Sequence, residues 1–427
     1  MKVAVVGGGW AGLAAAVRAT EAGHAVTLYE MAAQLGGRAR GVSVDGLALD
    51  NGQHILIGAY RRTLDLMITV GVDIAAVFDR RPLALSYPDG RGLQLPHGPA
   101  VPAFVRGVLA ADGLDSMDRL SLLTSATGWA LRGFRCDPLL TVDGLCRRLR
   151  PAVKRLLIDP LCVAALNTPA ADASAAVLLR VLRDALFGGA GGADLLLPRR
   201  SLHELLPGPA AAWLRQAGCQ LVLRTRVPLL QRAGADGWAV ASERFDAVVL
   251  ACPAVEAARL AQPHAAAFAQ RAVALAHEPI VTVYLRCPGA RLPAPMTALF
   301  DGPEAPAQFA FDHGALGASP GVFAFVVSGA RRWVDAGLDR TADAVMAQAG
   351  SAFAPGTWPE PPTLLKVLAE KRATFRCTPA LQRPPLHVAP GLLAAGDHVA
   401  GPYPATLEGA VRSGEAAAAA LASATPP

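Results

Sequence analysis

The chain has 427 residues, of which 52% are hydrophobic and only 17% charged, so its composition excludes an intrinsically disordered chain and allows two or three domain-sized units. The formal net charge of +6 comes mostly from arginine, and it suits either a weak attraction to anionic lipid or an ordinary solvated basic surface. Basic residues do not cluster with aromatic residues, so no nucleic-acid partner is expected.

Targeting and cysteine patterns indicate a cytoplasmic protein. No window of eighteen uninterrupted apolar residues predicts a membrane-spanning helix, and glycines interrupt the N-terminal apolar run where an export signal would continue. The seven cysteines are scattered, without a CxxC pair or a His-flanked cluster, so neither a metal site nor a disulfide framework is expected. We therefore expect reduced thiols and a cytoplasmic location, with peripheral contact with the inner face of the membrane left open.

The first thirty residues carry a dinucleotide-binding fingerprint. Residues 2–6 predict a buried strand, residues 13–22 a helix and residues 25–29 a second strand. The sequence GGGWAG between the first strand and the helix has the G-x-G-x-x-G spacing of a pyrophosphate-binding turn. Glu30 ends the second strand, where a carboxylate can accept hydrogen bonds from both hydroxyls of an adenosine ribose. The candidate pyrophosphate contacts are Gly7, Gly9, Trp10, Ala11 and Gly12.

A second glycine turn, QLGGRA at residues 34–39, bears on whether the dinucleotide is NAD or FAD. Its backbone, at Gly37, can approach a pyrophosphate, and Arg38 can add a charge-assisted contact. Placed after Glu30, this turn resembles that of the FAD-containing amine oxidase and phytoene desaturase superfamily. We therefore expect FAD, bound non-covalently because no motif cysteine indicates a flavin linkage. The glycines at 188–192 lack the spacing of a second fingerprint and predict a flexible loop.

Two distant segments extend the same resemblance. Residues 218–227 are similar to the strand whose valine brackets the adenine in that superfamily, which implies that Val227 lies there. Gly396 and Asp397 match the Gly-Asp pair whose carboxylate holds the ribityl chain. Residues 404–414 match a helix whose positive end faces the flavin pyrimidine, implying contacts from Thr406 and Leu407.

These segments predict an α/β fold: a Rossmann-like FAD-binding domain assembled from discontinuous segments, with an inserted α+β substrate domain. The FAD-binding domain is assigned to residues 1–90, 195–265 and 385–427. The substrate domain is assigned to residues 91–194, which are helical, and 266–384, which mix strands and helix. Helices are predicted at 117–131, 139–150, 153–166, 174–187 and 340–353, and strands at 245–252, 280–285, 322–327 and 364–368.

The stretch DNGQHILIGAY at residues 50–60 narrows the resemblance to the squalene-associated desaturases, the hydroxysqualene dehydroxylases of hopanoid biosynthesis. Residues 160–169, 370–375 and 396–414 are further matches. The resemblance implies reductive removal of an allylic hydroxyl from an apolar isoprenoid in a dry tunnel, with an external electron donor reducing the flavin. It also places the turn over the flavin, with Gly52, Gln53 and His54 as contacts.

The catalytic residues stay open at this point. His54 could donate a proton, hydrogen-bond the flavin or be structural, and Tyr403 is a second candidate. Asp50 is expected to cap a turn and Glu408 to stabilise a helix start.

Two other functions share this scaffold. One is an isoprenoid desaturase that runs in the oxidative direction, and the other is a non-enzymatic prenyl-binding escort, which would lack Glu30 or Asp397. Because squalene is insoluble, the tunnel mouth is expected to face a bilayer across an apolar, arginine-rimmed surface near an insertion helix.

Overall fold

The structure is a computed structural model that describes residues 1–234 and 237–422, in which strands and helices come in runs along the chain. The strands are β1 (Lys2–Val6), β2 (Ala25–Tyr29), β3 (Gly41–Val44), β4 (Leu47–Asp50), β5 (Leu56–Ile57), β6 (Phe78–Arg81), β7 (Ala84–Ser86), β8 (Gly92–Gln94), β9 (Leu195–Pro198), β10 (Gln220–Val222), β11 (Leu230–Arg232), β12 (Trp238–Val240), β13 (Glu243–Phe245), β14 (Ala247–Leu250), β15 (His277–Arg286), β16 (Met296–Ala298), β17 (Phe309–Asp312), β18 (Val322–Val327), β19 (Thr363–Phe375), β20 (His387–Ala389) and β21 (Leu392–Ala394). The helices are α1 (Trp10–Glu21), α2 (Arg61–Thr69), α3 (Ile74–Val77), α4 (Ala100–Ala110), α5 (Ser116–Leu131), α6 (Val142–Leu145), α7 (Pro151–Val153), α8 (Asp159–Leu166), α9 (Ala175–Phe187), α10 (Leu202–Leu205), α11 (Pro207–Gln216), α12 (Ala254–Ala261), α13 (Ala266–Val273), α14 (Arg331–Ala336), α15 (Leu338–Ala352) and α16 (Leu407–Ala422).

A six-stranded sheet brings three distant parts of the chain together. Its strand order is β10-β2-β1-β14-β21-β20, and every neighbouring pair is parallel except β20 with β21. The central strands are apolar along almost their whole length because helices cover one face and helices with a small sheet cover the other. Since the carboxyl ends of parallel strands meet at one edge, the residues that follow β1, β2, β14 and β21 lie together. The predicted discontinuous Rossmann-like fold is confirmed.

Helices α1 and α16 pack closely on one face of this sheet. Gly414 of α16 faces α1, so that a Cβ there would lie 2.9 Å from the Ala14 Cβ and still closer to the Ala11 carbonyl oxygen. The adjacent Ser413 hydroxyl accepts a hydrogen bond from the Gly396 N–H at 3.0 Å. The close helix contact therefore positions the loop after β21 against the glycine turn after β1.

A second sheet, with strand order β16-β17-β18-β15-β19, is antiparallel throughout. Alternate residues of β18 point to opposite faces: Ala324 packs against the α4–α9 helices, and Phe325 packs against α14 and α15. The Tyr284 hydroxyl of β15 donates to the Asp50 carbonyl at 2.9 Å. This bond ties the second sheet to the turn that follows β4. The predicted inserted α+β unit is thus present.

Two predicted helices differ from the structure. The prediction of a helix over residues 139–150 is wrong outside α6. Thr141 caps the start of α6 with its side chain, and Arg150, which precedes Pro151, adopts extended backbone. The helix predicted over 153–166 begins earlier, at Pro151, and contains a π-helical turn, Lys154–Ile158. This turn lies just before Pro160, which lacks the N–H that a regular α-helical ladder requires.

The observed bounds of three strands and one helix differ from the predicted bounds. The strand predicted over 218–227 shrinks to β10, and that over 245–252 to β14, whereas that over 364–368 extends to the whole of β19. Helix α1 begins at Trp10, three residues before the predicted start, so half of the GGGWAG turn is helical. The glycine segment 188–192 is a loop, as predicted, and Ala59 donates its N–H to the Gly192 carbonyl at 2.9 Å.

The α1–α16 contact generates a stability prediction. Gly414→Ala should lower the free energy of unfolding by about 1–3 kcal/mol, because the added methyl group would force the two helices apart. Gly350→Ala is the matched control, since a Cβ at this helical position has no neighbour within 4 Å. The control should raise stability by about 0.5–1 kcal/mol through helix propensity. Urea denaturation measures both, and equal stabilities for the two variants would contradict the proposed packing.

Candidate functional site

The glycines of the first turn divide into two kinds. Gly7 has φ of 113°, and a Cβ there would lie 2.5 Å from the Ala251 carbonyl oxygen; a Cβ on Gly12 would collide with the Gly7 carbonyl. The fold itself requires these two glycines. Gly9, by contrast, has ordinary extended backbone, and its Cβ would meet only the Gly37 Cα, at 3.9 Å. The space in front of Gly9 is therefore a cradle that a side chain would fill and a ligand can approach.

Helix α1 opens onto this cradle without a side-chain cap. Its N-cap residue is Gly9, and no acidic residue stands in its first turn. The Trp10 indole N–H is used elsewhere, donating to the Ala39 carbonyl at 2.9 Å. The backbone N–H groups of Trp10, Ala11 and Gly12 thus form an N-terminus suited to an anion such as a pyrophosphate.

Glu30 lies at the carboxyl end of β2 and is almost fully buried. Its Oε2 accepts from the Gly8 N–H at 2.7 Å, and its Oε1 accepts from the Ala32 N–H at 2.8 Å. These bonds fix the carboxylate, and each oxygen retains a lone pair that can accept from a ribose hydroxyl. Thr225 donates its N–H to the Glu30 carbonyl at 2.9 Å, which places the segment leading to buried Val227 beside it.

An ion pair joins the second glycine turn to the loop after β21. The Arg38 Nη2 lies 2.5 Å from the Asp397 Oδ1, and the Arg38 Nη1 donates to the Ala373 carbonyl at 2.7 Å. Burial opposes the charge on Asp397, but Arg38 and His398 outweigh it and hold the pKa of that carboxyl well below its usual range. A backbone bridge between Gly9 and Gly36 connects the same turn to the cradle. Gly9, Gly37, Arg38 and Asp397 therefore belong to one continuous surface.

The start of α16 lies in the same region. Thr406 caps it, with its hydroxyl accepting from the Gly409 N–H at 3.1 Å, and Leu407 is its first residue. Gly396 has φ of 153°, and a Cβ there would collide with the His398 ring at 2.5 Å. The Gly-Asp turn thus depends on glycine at position 396.

Glu408 has a different role from the predicted one. Although it stands in the first turn of α16, its carboxylate accepts from the backbone N–H groups of Arg62 and Thr63, at 3.2 and 2.9 Å. It also accepts from the Thr63 hydroxyl. Glu408 therefore caps the start of another helix, α2, and links that helix to the site.

The turn at residues 50–54 contacts this surface through Asn51. The Asn51 side chain donates to the Arg38 carbonyl and accepts from the Arg40 N–H. A Cβ on Gly52 would make only ordinary contacts, 3.7 Å from the Thr282 hydroxyl at the nearest, so that backbone too has open space beside it. The role of Asn51 is not predictable from the sequence, because no local pattern reveals that its partner lies on the preceding glycine turn.

His54 is held in one tautomer. Its Nδ1 donates to the Gly52 carbonyl at 2.6 Å, since a carbonyl oxygen can only accept. Burial lowers the pKa of His54, and the charge of Arg38 lowers it further. The imidazole is therefore neutral, with Nε2 as a hydrogen-bond acceptor, which suits an orienting contact better than proton donation.

Asp50 and His313 were not predicted as functional, yet both line a small cavity beside this turn, together with Gln53. Asp50 is 6% exposed, and its Oδ1 accepts from the Leu202 N–H at 2.8 Å, so it caps α10 as well as ending β4. Burial raises the pKa of Asp50 to about 7. The His313 Nε2 lies 3.0 Å from the Gln53 Oε1, and burial lowers the pKa of His313 to about 4.

Tyr403, the second catalytic candidate, is engaged by α9. Its hydroxyl donates to the Asp184 Oδ2 at 2.8 Å and accepts from the Arg180 Nη2 at 2.7 Å. Arg383 holds the same loop by donating to the Tyr403 and Asp397 carbonyls, each at 3.0 Å. This geometry favours a structural tie between α9 and the site over the predicted proton-transfer role.

A parallel sheet with a glycine cradle, an uncapped helix N-terminus and a buried carboxylate after the second strand is typical of a dinucleotide-binding α/β protein. The chain belongs to the flavin containing amine oxidoreductase family, whose model matches residues 10–422. The protein is therefore a flavin-dependent oxidoreductase, and the flavoprotein superfamily predicted from the sequence is confirmed.

Curated relatives divide into two groups. Hydroxysqualene dehydroxylases from Rhodopseudomonas palustris and Zymomonas mobilis are 29% and 27% identical, each over 97% of this chain and 97% of the relative. A zeta-carotene desaturase from Synechocystis is 26% identical over 56% of this chain and 52% of its own.

Solved structures share the fold along the whole chain. An oxidoreductase from Methanosarcina mazei superposes with a TM-score of 0.75 at 16% identity, covering 97% of this chain and 99% of its own. Cyclohexylamine oxidase from Brevibacterium oxydans gives a TM-score of 0.66 at 18% identity, and the match covers 99% of this chain and 98% of the oxidase.

The position of Asp50 predicts a pH-dependent stability. Its folded pKa of about 7 exceeds the 3.8 of an ordinary Asp, so the folded state binds the proton more tightly and loses stability as the pH rises towards 7. Asp50→Asn keeps the acceptor for Leu202 and removes the ionisation. Between about pH 5 and pH 8, the unfolding free energy of the wild type should fall by about 2 kcal/mol more than that of the variant. Urea titrations that give parallel pH profiles would contradict the assignment.

Proposed function

We propose that the protein binds FAD non-covalently and uses it to remove the hydroxyl group of hydroxysqualene reductively, giving squalene. The observation that carries the proposal is the extent of the similarity. The match to hydroxysqualene dehydroxylases spans 97% of both chains, whereas the zeta-carotene desaturase match covers about half of each. Both the flavin-binding sheet and the inserted unit therefore resemble the dehydroxylases.

The residues present fit an FAD molecule laid along the carboxyl edge of the sheet. We assign the pyrophosphate to the Gly9 cradle and the α1 N-terminus, and the adenosine ribose to Glu30. Val227 would lie against the adenine. Asp397, with Arg38 beside it, would hold the ribityl chain, and the N-terminus of α16 would face the pyrimidine.

Non-covalent binding is supported by Cys252, which lies beside the first turn. The Cys252 backbone lies against Gly7, and burial raises the pKa of its thiol to about 12. A protonated thiol is a poor nucleophile, so Cys252 is unsuited to a covalent flavin linkage.

The proposed reaction needs a hydride, which bound reduced flavin supplies, and a proton for the departing hydroxyl. On the turn at residues 50–54, the His54 Nδ1–H already donates to the Gly52 carbonyl, and burial lowers the pKa of the ring, which disfavours the protonated form that could give up a proton. Asp50 has a pKa of about 7 and borders the cavity that Gln53 and His313 also line. We assign the proton supply to Asp50 and an orienting contact to His54. The apolar helices around this unit would exclude water, which would otherwise trap an allylic cation.

An isoprenoid desaturase remains the second candidate because the zeta-carotene desaturase match includes more than half of this chain. The two reactions share the flavin scaffold and differ in the direction of electron flow. The escort-protein alternative is disfavoured, since the family is one of oxidoreductases and both Glu30 and Asp397 are in place.

The assignment of the pyrophosphate to the Gly9 cradle can be tested by FAD binding alone, without measuring catalysis. Gly9→Ala should leave the stability of the cofactor-free protein unchanged, because its added methyl group has no close protein neighbour. The same methyl group would occupy pyrophosphate space, so FAD affinity should fall by at least about 100-fold, an effect of about 3 kcal/mol. Fluorescence titration with FAD measures the affinity, with Gly350→Ala, whose added Cβ has no neighbour within 4 Å, as a control for handling. FAD binding by Gly9→Ala as tight as in the wild type would refute the cradle assignment.

The reaction itself is tested by anaerobic product analysis. Protein with chemically reduced FAD is incubated with hydroxysqualene, and separate samples with oxidised FAD receive phytoene or squalene. We expect squalene from hydroxysqualene, with one flavin oxidised per product, and a rate that falls as the pH rises through about 7. Formation of a conjugated polyene from phytoene, with hydroxysqualene unchanged, would establish the desaturase instead.

A further inference from the structure

An exposed patch where α5 and α9 end combines apolar and basic side chains. We call it the α5–α9 patch and define it by Leu131, Arg132, Arg135, Arg183 and Phe187. Leu131 is 84% exposed and Phe187 is 54% exposed, although both are large apolar residues. Such residues are normally covered when they occur together, so the patch indicates a contact surface.

The three arginines of the patch have no acidic partners within residues 1–234 and 237–422. Neither Arg132, Arg135 nor Arg183 forms an ion pair there, in contrast to Arg180 on the same helix as Arg183. The adjacent Asp184 is already engaged by Arg180 and the Tyr403 hydroxyl. The charge of the patch is therefore positive and uncompensated, which suits an anionic partner.

The arginines surround a shallow groove with an aromatic floor. Ala130, Gly133 and Phe134 line it together with the arginines and Phe187. The Phe134 and Phe187 rings meet edge to face, with centroids 5.2 Å apart. An apolar floor with a guanidinium rim matches the boundary of a bilayer, where acyl chains meet anionic headgroups.

Helix α9 connects the patch to the proposed flavin site. Arg180 and Asp184 contact Tyr403, on the loop that leads to α16, while Arg183 and Phe187 lie on the patch within the following two turns. A molecule entering at the patch would thus begin within a few helical turns of this loop. In the part of the chain that the structure describes, no helix is long and apolar enough to cross a bilayer.

We infer that the α5–α9 patch docks the protein on an anionic phospholipid bilayer, from which the apolar substrate enters beside α9. The route of entry rests on the proposed function, whereas the docking itself rests on the exposed apolar groups and unpaired arginines. A protein partner fits the patch less well, because its three cations face no acid and its groove is shallow and aromatic.

Vesicle sedimentation of the FAD-loaded protein tests this inference without any turnover. The vesicles contain phosphatidylcholine alone or with one third phosphatidylglycerol, at fixed ionic strength with and without inorganic phosphate. The first variant, R132Q/R135Q/R183Q, removes the charge, and the second, L131S/F187S, removes the apolar groups. The matched control, R271Q/V273S, changes an exposed arginine and the 61% exposed Val273 on α13. Flavin absorbance and unfolding curves verify that each variant is folded.

We expect the wild type to bind anionic vesicles and to bind neutral ones weakly. Loss of the three arginines should weaken anionic binding by on the order of 100-fold, given about a fivefold contribution from each basic residue. Loss of the apolar pair should weaken binding to both compositions, and the control should behave as the wild type. Undiminished vesicle binding by both patch variants, no vesicle binding by the wild type, or a change of oligomeric state in the patch variants would each overturn the inference. Product formation in detergent stays a separate measurement, so failure of the proposed reaction leaves the docking result intact.

Discussion

The ion pair between Arg38 and Asp397 connects the parts of the protein on which the site depends. Its two residues are separated by 359 positions in the sequence, yet their charged atoms lie 2.5 Å apart. Asp397 is buried whereas Arg38 is about one third exposed, so removing Arg38 would leave a buried carboxylate without its cation. The pair thus holds the second glycine turn against the loop after β21, and the Gly9–Gly36 bridge extends this contact to the first turn.

This convergence depends on the packing of α1 against α16. Small residues at their contact allow the two helices to approach, and Ser413 then anchors Gly396. The same helix pair directs two N-termini, one preceded by Gly9 and one by Thr406, towards the carboxyl edge of the sheet. Two positive helix ends and the carboxylates of Glu30 and Asp397 would suit an elongated molecule with a central diphosphate, as we propose for FAD.

The sequence predicted the parts of the molecule that local patterns determine. Strands β1 and β2 and the glycine spacing follow from short-range constraints, since an apolar run and a tight turn are legible in a few residues. The long-range partners were not predictable in this way. Asn51 contacts the Arg38 carbonyl, Glu408 caps α2, and Gln53 meets His313, 260 positions away. In the helix predicted over 139–150, two local signals were missed: Thr141 caps the start of α6, and Pro151 restricts the residue before it.

The carboxyl edge of the parallel sheet, the apolar inserted unit beside it and the basic, apolar patch at the end of α9 have separate proposed roles. The central proposal is that three separated segments hold one FAD molecule between Glu30 and Asp397. A crystal structure of the purified protein with FAD tests this proposal most directly. We expect continuous density with the adenosine ribose at Glu30, the diphosphate against Gly9 and the ribityl chain at Asp397. A structure in which Glu30 and Asp397 open onto separate clefts, with FAD at only one of them or elsewhere, would contradict it.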